Sequence, residues 1–77
     1  MIKQLVEHIV KHIVVSPDQV KVQVFRDGQS CTIEINVSQD DLKRVIGKAG
    51  ATVKAIRSLI QVVQDQSQDI TVNVKHE

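Results

Sequence analysis

Val45-Ile46-Gly47-Lys48-Ala49-Gly50-Ala51-Thr52-Val53-Lys54-Ala55-Ile56-Arg57 places a short stretch bounded by glycines between two segments of helical periodicity. Gly47 and Gly50 lack a Cβ, so the backbone can take positive φ there and a sugar-phosphate can approach more closely than any larger residue allows. Gly50 also opens the second segment. The first N–H groups of a helix have no intrahelical partner and carry partial positive charge, which suits a phosphate. Lys48 adds a cation to the same loop. A loop so built can hold a nucleic-acid backbone.

The charge pattern around the loop points the same way. Between Leu42 and Gln64 lie Lys43, Arg44, Lys48, Lys54 and Arg57 with no acidic residue, whereas the other five cations of the chain face nine acids. The net charge of +1 therefore hides a polarised chain, and clustered cations are the footprint of phosphate contact. Lys54 and Arg57, spaced i,i+3, would equally suit a solvated helix face. The glycine loop between the cations tips the reading toward binding.

Working outward, Ile2, Leu5, Val6, Ile9, Val10 and Ile13 recur every three or four residues, which predicts an amphipathic helix over about residues 2–14 with Leu5, Ile9 and Ile13 defining its core face. Ser16-Pro17-Asp18 ends it. Val20, Val22 and Val24 alternate with Lys21, Gln23 and Phe25, Ile33, Ile35 and Val37 with Thr32, Glu34 and Asn36, and Asp27-Gly28 between the two runs signals an antiparallel hairpin. Ser38, with Asp41 three residues on, reads as the N-cap of a short helix carrying Leu42, Val45 and Ile46. A helix over about residues 51–64 follows the glycine loop, with Val53, Ile56, Ile60 and Val63 on the arc that faces the core. Asp65-Gln66-Ser67-Gln68-Asp69 is a polar loop, and Ile70, Val72 and Val74 alternate as a last strand. The order α-β-β-α-α-β fits an α+β fold, one three-stranded sheet covered on one face by three helices.

The run resembles the KH domain, whose hallmark is a hydrophobic-Ile-Gly-x-x-Gly loop that joins two helices and clamps about four nucleotides of single-stranded RNA or DNA. Val45-Ile46 before the glycines and Val53, Ile56 and Ile60 after them supply the family's context. The element order resembles the type II, bacterial form of the KH fold. Residues 1–77, expected to form one domain, look like the small bacterial KH proteins of the KhpA type. This resemblance implies an RNA-binding site made of Arg44, Ile46, Gly47, Lys48, Ala49, Gly50, Thr52, Lys54 and Arg57. The glycines would shape the clamp, Lys48 and the helix start would meet phosphate, and Arg44, Lys54 and Arg57 would flank the groove. Val45, Ile46, Ala49, Ala51 and Val53 are the candidates for the groove itself, with packing the main role of Ile46 and Val53. Many family members carry a second basic residue where Ala49 stands, which implies lower affinity here.

The resemblance further implies single-stranded RNA as partner and a role as RNA chaperone or post-transcriptional regulator. It implies self-association and pairing with a larger KH-containing protein, KhpB (also called EloR or Jag), in control of cell elongation and division. No cofactor and no small-molecule substrate are implied. A competing reading keeps the fold as a protein-interaction or dimerisation module with little RNA affinity of its own. Leu59 and Val62 support association, because they lie at the edge of the core-facing arc of the last helix and nearly opposite it. They are the candidate dimer interface.

Other constellations carry less. His8 and His12 are spaced i,i+4 on the first helix, but they fall on its polar flank, and a metal site needs three or four convergent ligands where the chain offers two. Asp40 and Asp41 suit the acidic first turn of a helix and need no catalytic role. Gly47-Lys48 lacks the upstream glycine and the following Ser or Thr of a nucleotide-hydrolysing phosphate loop, and no serine or cysteine has a positioned histidine base. An enzyme is not expected. Phe25 is the only aromatic residue, so the stacking platforms of RRM and OB folds are excluded, whereas a KH groove needs none. Cys31 is the only cysteine and reads as a small half-buried core residue. With 42% hydrophobic and 25% charged residues, no run approaching a membrane span and a polar amino terminus, the chain is expected to be soluble and cytoplasmic.

Overall fold

The computed structural model describes residues 2–64 and 69–76. Helix α1 (Ile2–Lys11) is followed by strands β1 (Lys21–Asp27) and β2 (Ser30–Val37), helices α2 (Leu42–Ile46) and α3 (Ala51–Val63), and strand β3 (Asp69–His76). Short 3-10 turns occupy Pro17–Gln19, Gln39–Asp41 and Lys48–Gly50. The architecture is the α+β arrangement expected. Of the polar loop expected at residues 65–69, all but Asp69, which opens β3, lies outside the described residues.

The sheet runs in the order β1-β2-β3, with β1 antiparallel and β3 parallel to β2. The hairpin closes on the Asp27–Ser30 pair, and Gly28, at φ 61°, takes the left-handed conformation the turn requires. The chain leaves β2 and returns as β3 through α2 and α3, the crossover that parallel pairing needs. On β2, Cys31, Ile33, Ile35 and Val37 are buried and alternate with half-buried Thr32, Glu34 and Asn36. Val6 and Val10 of α1, Val45 of α2, Ile56 and Ile60 of α3, and Ile70 of β3 close over that apolar row. Cys31 is fully rather than half buried, because β2 is the central strand.

Two helix faces depart from the sequence pattern. In α1 the buried residues are Ile2, Val6 and Val10, with Leu5 and Ile9 half-buried beside them. The helix stops at Lys11 instead of Val14, and its end tightens through i−3 bonds from the amides of His12 and Ile13 to the carbonyls of Ile9 and Val10. In α3 Ile56 and Ile60 are buried, but Val63, placed on the core arc from its spacing, is 57% exposed. The reason is where the helix lies along the strand. Arg57 lies beside Ile70, one residue from the start of β3. Six further residues of helix advance about 9 Å, whereas the strand continues only about 3.3 Å. The end of α3 therefore overhangs the sheet.

Asp41 departs most from its expected role. It is 1% exposed and acts across the fold and not as a local cap. Its Oδ1 accepts the Val15 N–H and its Oδ2 the Ser16 N–H, both at 3.0 Å. The Ser38 hydroxyl donates to Oδ2 at 3.0 Å, and Arg44 Nε stands 3.4 Å from Oδ1. Ser38 precedes the 3-10 turn, not α2, and its hydroxyl caps no backbone amide. The Val15 amide above all, opposed in part by burial, and then Ser16, Ser38 and the Arg44 charge hold the Asp41 carboxyl below its ordinary value.

A carboxyl whose pKa is depressed by folding stabilises the fold above its unfolded pKa, near 3.8, and that contribution is lost as pH falls through the lower folded value. Asp41→Asn should therefore lower Tm by about 5 °C or more at neutral pH. The gap from the parent protein should hold down to the unfolded pKa and close below it. Thermal melts followed by circular dichroism over this range test it, and a gap that persists unchanged in strong acid would remove the carboxylate from the account.

Candidate nucleic-acid interface

Helix α2 is only five residues long and ends where the Gly47 N–H donates to the Lys43 carbonyl at 2.8 Å. Gly47 has φ 77° and ψ 175°, a region open essentially to glycine alone. Space reinforces the demand. A Cβ at position 47 would lie 2.8 Å from both the Cβ and the backbone N of Thr52, and would meet the Thr52 hydroxyl more closely still. Gly50, at φ 76° and ψ 15°, is left-handed too, but a Cβ there would meet nothing within 4 Å. Its N–H donates to the Gly47 carbonyl at 3.3 Å and closes the turn.

Between the glycines, Ala49 is itself left-handed, at φ 56° and ψ 29°, which costs an L-residue about 1–2 kcal/mol. Lys48 and Ala49 are exposed. Gly50 in the left-handed and Ala51 in the right-handed helical conformation turn successive N–H groups into one concavity, an arrangement that favours anions. The first turn of α3 carries no acidic residue to oppose them.

Beside the loop, α3 and β3 enclose a groove of about 330 Å³ lined by Ile46, Gly50, Val53, Lys54, Val72, Asn73 and Val74. Its floor is aliphatic and Lys54 supplies a cation. Of the nine residues assigned to the site from sequence, Ile46, Gly50 and Lys54 line this groove. Lys48 and Ala49 sit on the loop, and Gly47 and Thr52 set the loop's shape. Arg44 is tied to Asp41, while the Nε of Arg57 donates to the Ile70 carbonyl at 2.9 Å, so both approach the site already anchored at one nitrogen.

Among the groove candidates, Val45 is fully buried core, and Ala49 and Ala51 are exposed outside the groove lining. Ile46 and Val53 are half-buried groove walls and not principally core. The three β3 residues were missed. Their alternation reads as an ordinary core strand, and only the parallel return of β3 beside α3 exposes them; the two-helix crossover was the available signal. Leu59 and Val62, the candidate interface, are 42% and 72% exposed. His8 and His12 are exposed, with the His12 Nδ1 2.7 Å from the His8 carbonyl oxygen, and no cluster of three or more metal-ligating residues occurs among the described residues.

The family profile described as KhpA/KhpB, KH domain, matches residues 3–75. The chain belongs to the KhpA/KhpB KH-domain family. It is 50% identical over 58 residues to RNA-binding protein KhpA of Halalkalibacterium halodurans, covering 75% of this chain and 76% of that one. The KhpA of Thermotoga maritima is 36% identical over 72 residues, 94% of this chain and 96% of its own length. That of Mycobacterium tuberculosis is 44% identical over 55 residues, 71% and 69%. Among solved structures, Era in complex with MgGDPNP and nucleotides 1506–1542 of 16S ribosomal RNA superposes with a TM-score of 0.59 at 16% identity, covering 97% of this chain and 29% of that one. At that identity the likeness shows the fold alone. The KhpA/KhpB KH-domain family is an RNA-binding family, not an enzyme family.

The two glycines should respond differently to alanine. Gly47→Ala combines a glycine-only backbone with a collision against Thr52 and should cost about 3 kcal/mol or more, whereas Gly50→Ala should cost about 1–2 kcal/mol. Ala49→Gly should be close to neutral, because relief of the left-handed strain offsets glycine's entropy. Urea denaturation measures all three, and equal losses at 47 and 50 would sink the assignment of Thr52 as the loop's abutment.

Proposed function

We propose that the chain binds single-stranded RNA, with the loop of residues 47–50 holding the sugar-phosphate backbone and the groove between α3 and β3 receiving the bases. The observation that carries this reading is the Gly47-Lys48-Ala49-Gly50 loop, exposed at Lys48 and Ala49 and left-handed at Ala49 and Gly50, set against an aliphatic groove of about 330 Å³. The relatives' name, RNA-binding protein KhpA, supports it. Backbone amides of the loop and the start of α3 meet one phosphate. Lys48 and Lys54 add point charges, and Arg44 and Arg57 offer the guanidinium donors their anchors leave over. Phe25 is exposed at a β1 position that alternates away from buried Val22 and half-buried Val24, so aliphatic contact with Ile46, Val53, Val72 and Val74, not ring stacking, would hold the bases.

The wider role is that of an RNA chaperone or post-transcriptional regulator acting in the cytoplasm, working as a homodimer or with a KhpB (EloR/Jag)-type partner in cell elongation and division. It rests on the family resemblance. Among the described residues no helix is long and apolar enough to cross a membrane. Association has its own support. Leu59, Val62 and Val63 are all exposed at the overhanging end of α3, an apolar group that the helix-on-sheet packing leaves uncovered.

Replacing Lys48 and Ala49 by aspartates should abolish RNA binding without altering the circular dichroism spectrum, since like charge repels phosphate. For the parent protein, log K should fall with log[salt] at a slope of roughly −2 to −3, the single-strand value for three or four phosphate contacts. Undiminished affinity of the aspartate variant, or binding indifferent to salt, would reject the clamp.

Leu59→Asp combined with Val62→Asp should convert a dimer to a folded monomer. A carboxylate buried in an interface without a partner costs several kcal/mol, against about 8 kcal/mol for a micromolar dimer. Size-exclusion chromatography with light scattering decides: a monomeric parent protein, or a variant that stays dimeric at the same concentration, excludes this surface.

A further inference from the structure

A second cavity, of about 350 Å³, is lined by Ile2 and Lys3 at the start of α1 and by Val24 and Arg26 of β1. It lies at the opposite edge of the sheet from the groove, because β1 and β3 are the two outer strands. Its composition repeats that of the groove: aliphatic walls with cations. Arg26 follows the alternation of Val22 and Val24 and so belongs to the helix-covered face.

The two cations are uncommitted. Arg44, Arg57 and Lys75 are held by Asp41, the Ile70 carbonyl and Glu34, whereas among the described residues the side chains of Lys3 and Arg26 have neither an ion-pair nor a hydrogen-bond partner. They converge here although the chain outside residues 42–64 carries more acids than cations. The first turn of α1 contributes no acid either.

Register links this cavity to the first site. Arg26 pairs with Cys31, Cys31 with Ile70, and the Ile70 carbonyl accepts from Arg57. Arg26 and Arg57 therefore stand at the two ends of one cross-strand row, whose outer strands are about 10 Å apart. A KH-type loop engages about four nucleotides, and at about 3.4 Å per nucleotide a strand of ten or more is as long as the 34 Å long axis of the molecule. A strand leaving the groove past Arg57 has the length to reach the far edge.

We propose that the cavity lined by Ile2, Lys3, Val24 and Arg26 is a second nucleotide site, which takes a phosphate of the same RNA strand on Lys3 and Arg26 and its ribose or base against Ile2 and Val24. The proposal rests on the reading of the glycine loop as an RNA clamp. It makes the ligand an extended single strand engaged at both edges of the sheet, longer than the groove alone accommodates.

The test compares a four-nucleotide and a twelve-nucleotide single-stranded RNA by NMR titration and fluorescence anisotropy. For the parent protein, both should shift the amides of the 47–50 loop, but only the longer strand those of Val24 and Arg26. Lys3→Glu with Arg26→Glu should weaken the longer strand by roughly tenfold or more and leave the tetranucleotide within about twofold. The milder Lys3→Gln with Arg26→Gln should make the salt slope for the longer strand shallower by about 0.7, the value of one single-strand phosphate contact, and leave that for the tetranucleotide unchanged. Equal losses on both lengths, or on neither, overturn the second site while the clamp stands on the parent's binding of the tetranucleotide. A parent protein that binds neither RNA overturns the clamp and this inference together.

Discussion

One buried carboxylate determines how the loop is presented. Asp41 accepts the amides of Val15 and Ser16 from the link between α1 and β1, and it stands one residue before α2. With two backbone donors, the Ser38 hydroxyl and the Arg44 guanidinium around it, its negative charge is compensated in a place where an isolated charge could not stay. Helix α2 has too few residues to hold its own direction by helical bonding. Its N-terminal end is set by this junction, and Val45 is driven into the core one turn later. What lies between that anchor and Gly47 is a short rigid arm.

The arm ends in a loop where most of the conformational cost has been assigned to glycine, but not all of it. Gly47 must be glycine for two separate reasons, its dihedral angles and the proximity of Thr52. Gly50 has only the first. Ala49 occupies left-handed space without glycine's freedom, and strain of this kind persists only when the surrounding structure over-determines it. Here the surroundings are the closing bond from Gly50 to Gly47 and the start of α3. The strain accompanies an arrangement of inward-turned amides, consistent with a loop organised before its ligand arrives.

The placement of the two long helices on a three-stranded sheet leaves part of each uncovered, and this accounts for the distribution of open surface. α3 lies along β3 with its first turns over a groove and its last turn beyond the sheet's end. The groove and the exposed Leu59, Val62 and Val63 are thus two consequences of one geometric mismatch. At the other edge, α1 leaves a cavity against β1 for the same reason. Small domains bury a modest fraction of their surface, and among the described residues these three places, with exposed Val15 and Phe25 besides, hold apolar surface left open.

Hydrophobic periodicity, turn residues and the glycine spacing were enough to read the element order, the hairpin, the location of the loop and the charge polarity from the chain, because each is local or compositional. The same local signals misassigned Val63 and the buried face of α1, since periodicity gives the angle of a side chain around its helix and says nothing of where the sheet ends. Asp41 looked like a first-turn acid because its partners at Val15 and Ser16 lie 26 and 25 residues away. Val72, Asn73 and Val74 became groove residues only through the parallel return of β3 beside α3. What the sequence alone determined was which elements form and what chemistry the loop carries. Which side chains face each other across the groove was decided by tertiary structure, because that depends on where each helix lies along its strand and on hydrogen bonds between segments far apart in the chain.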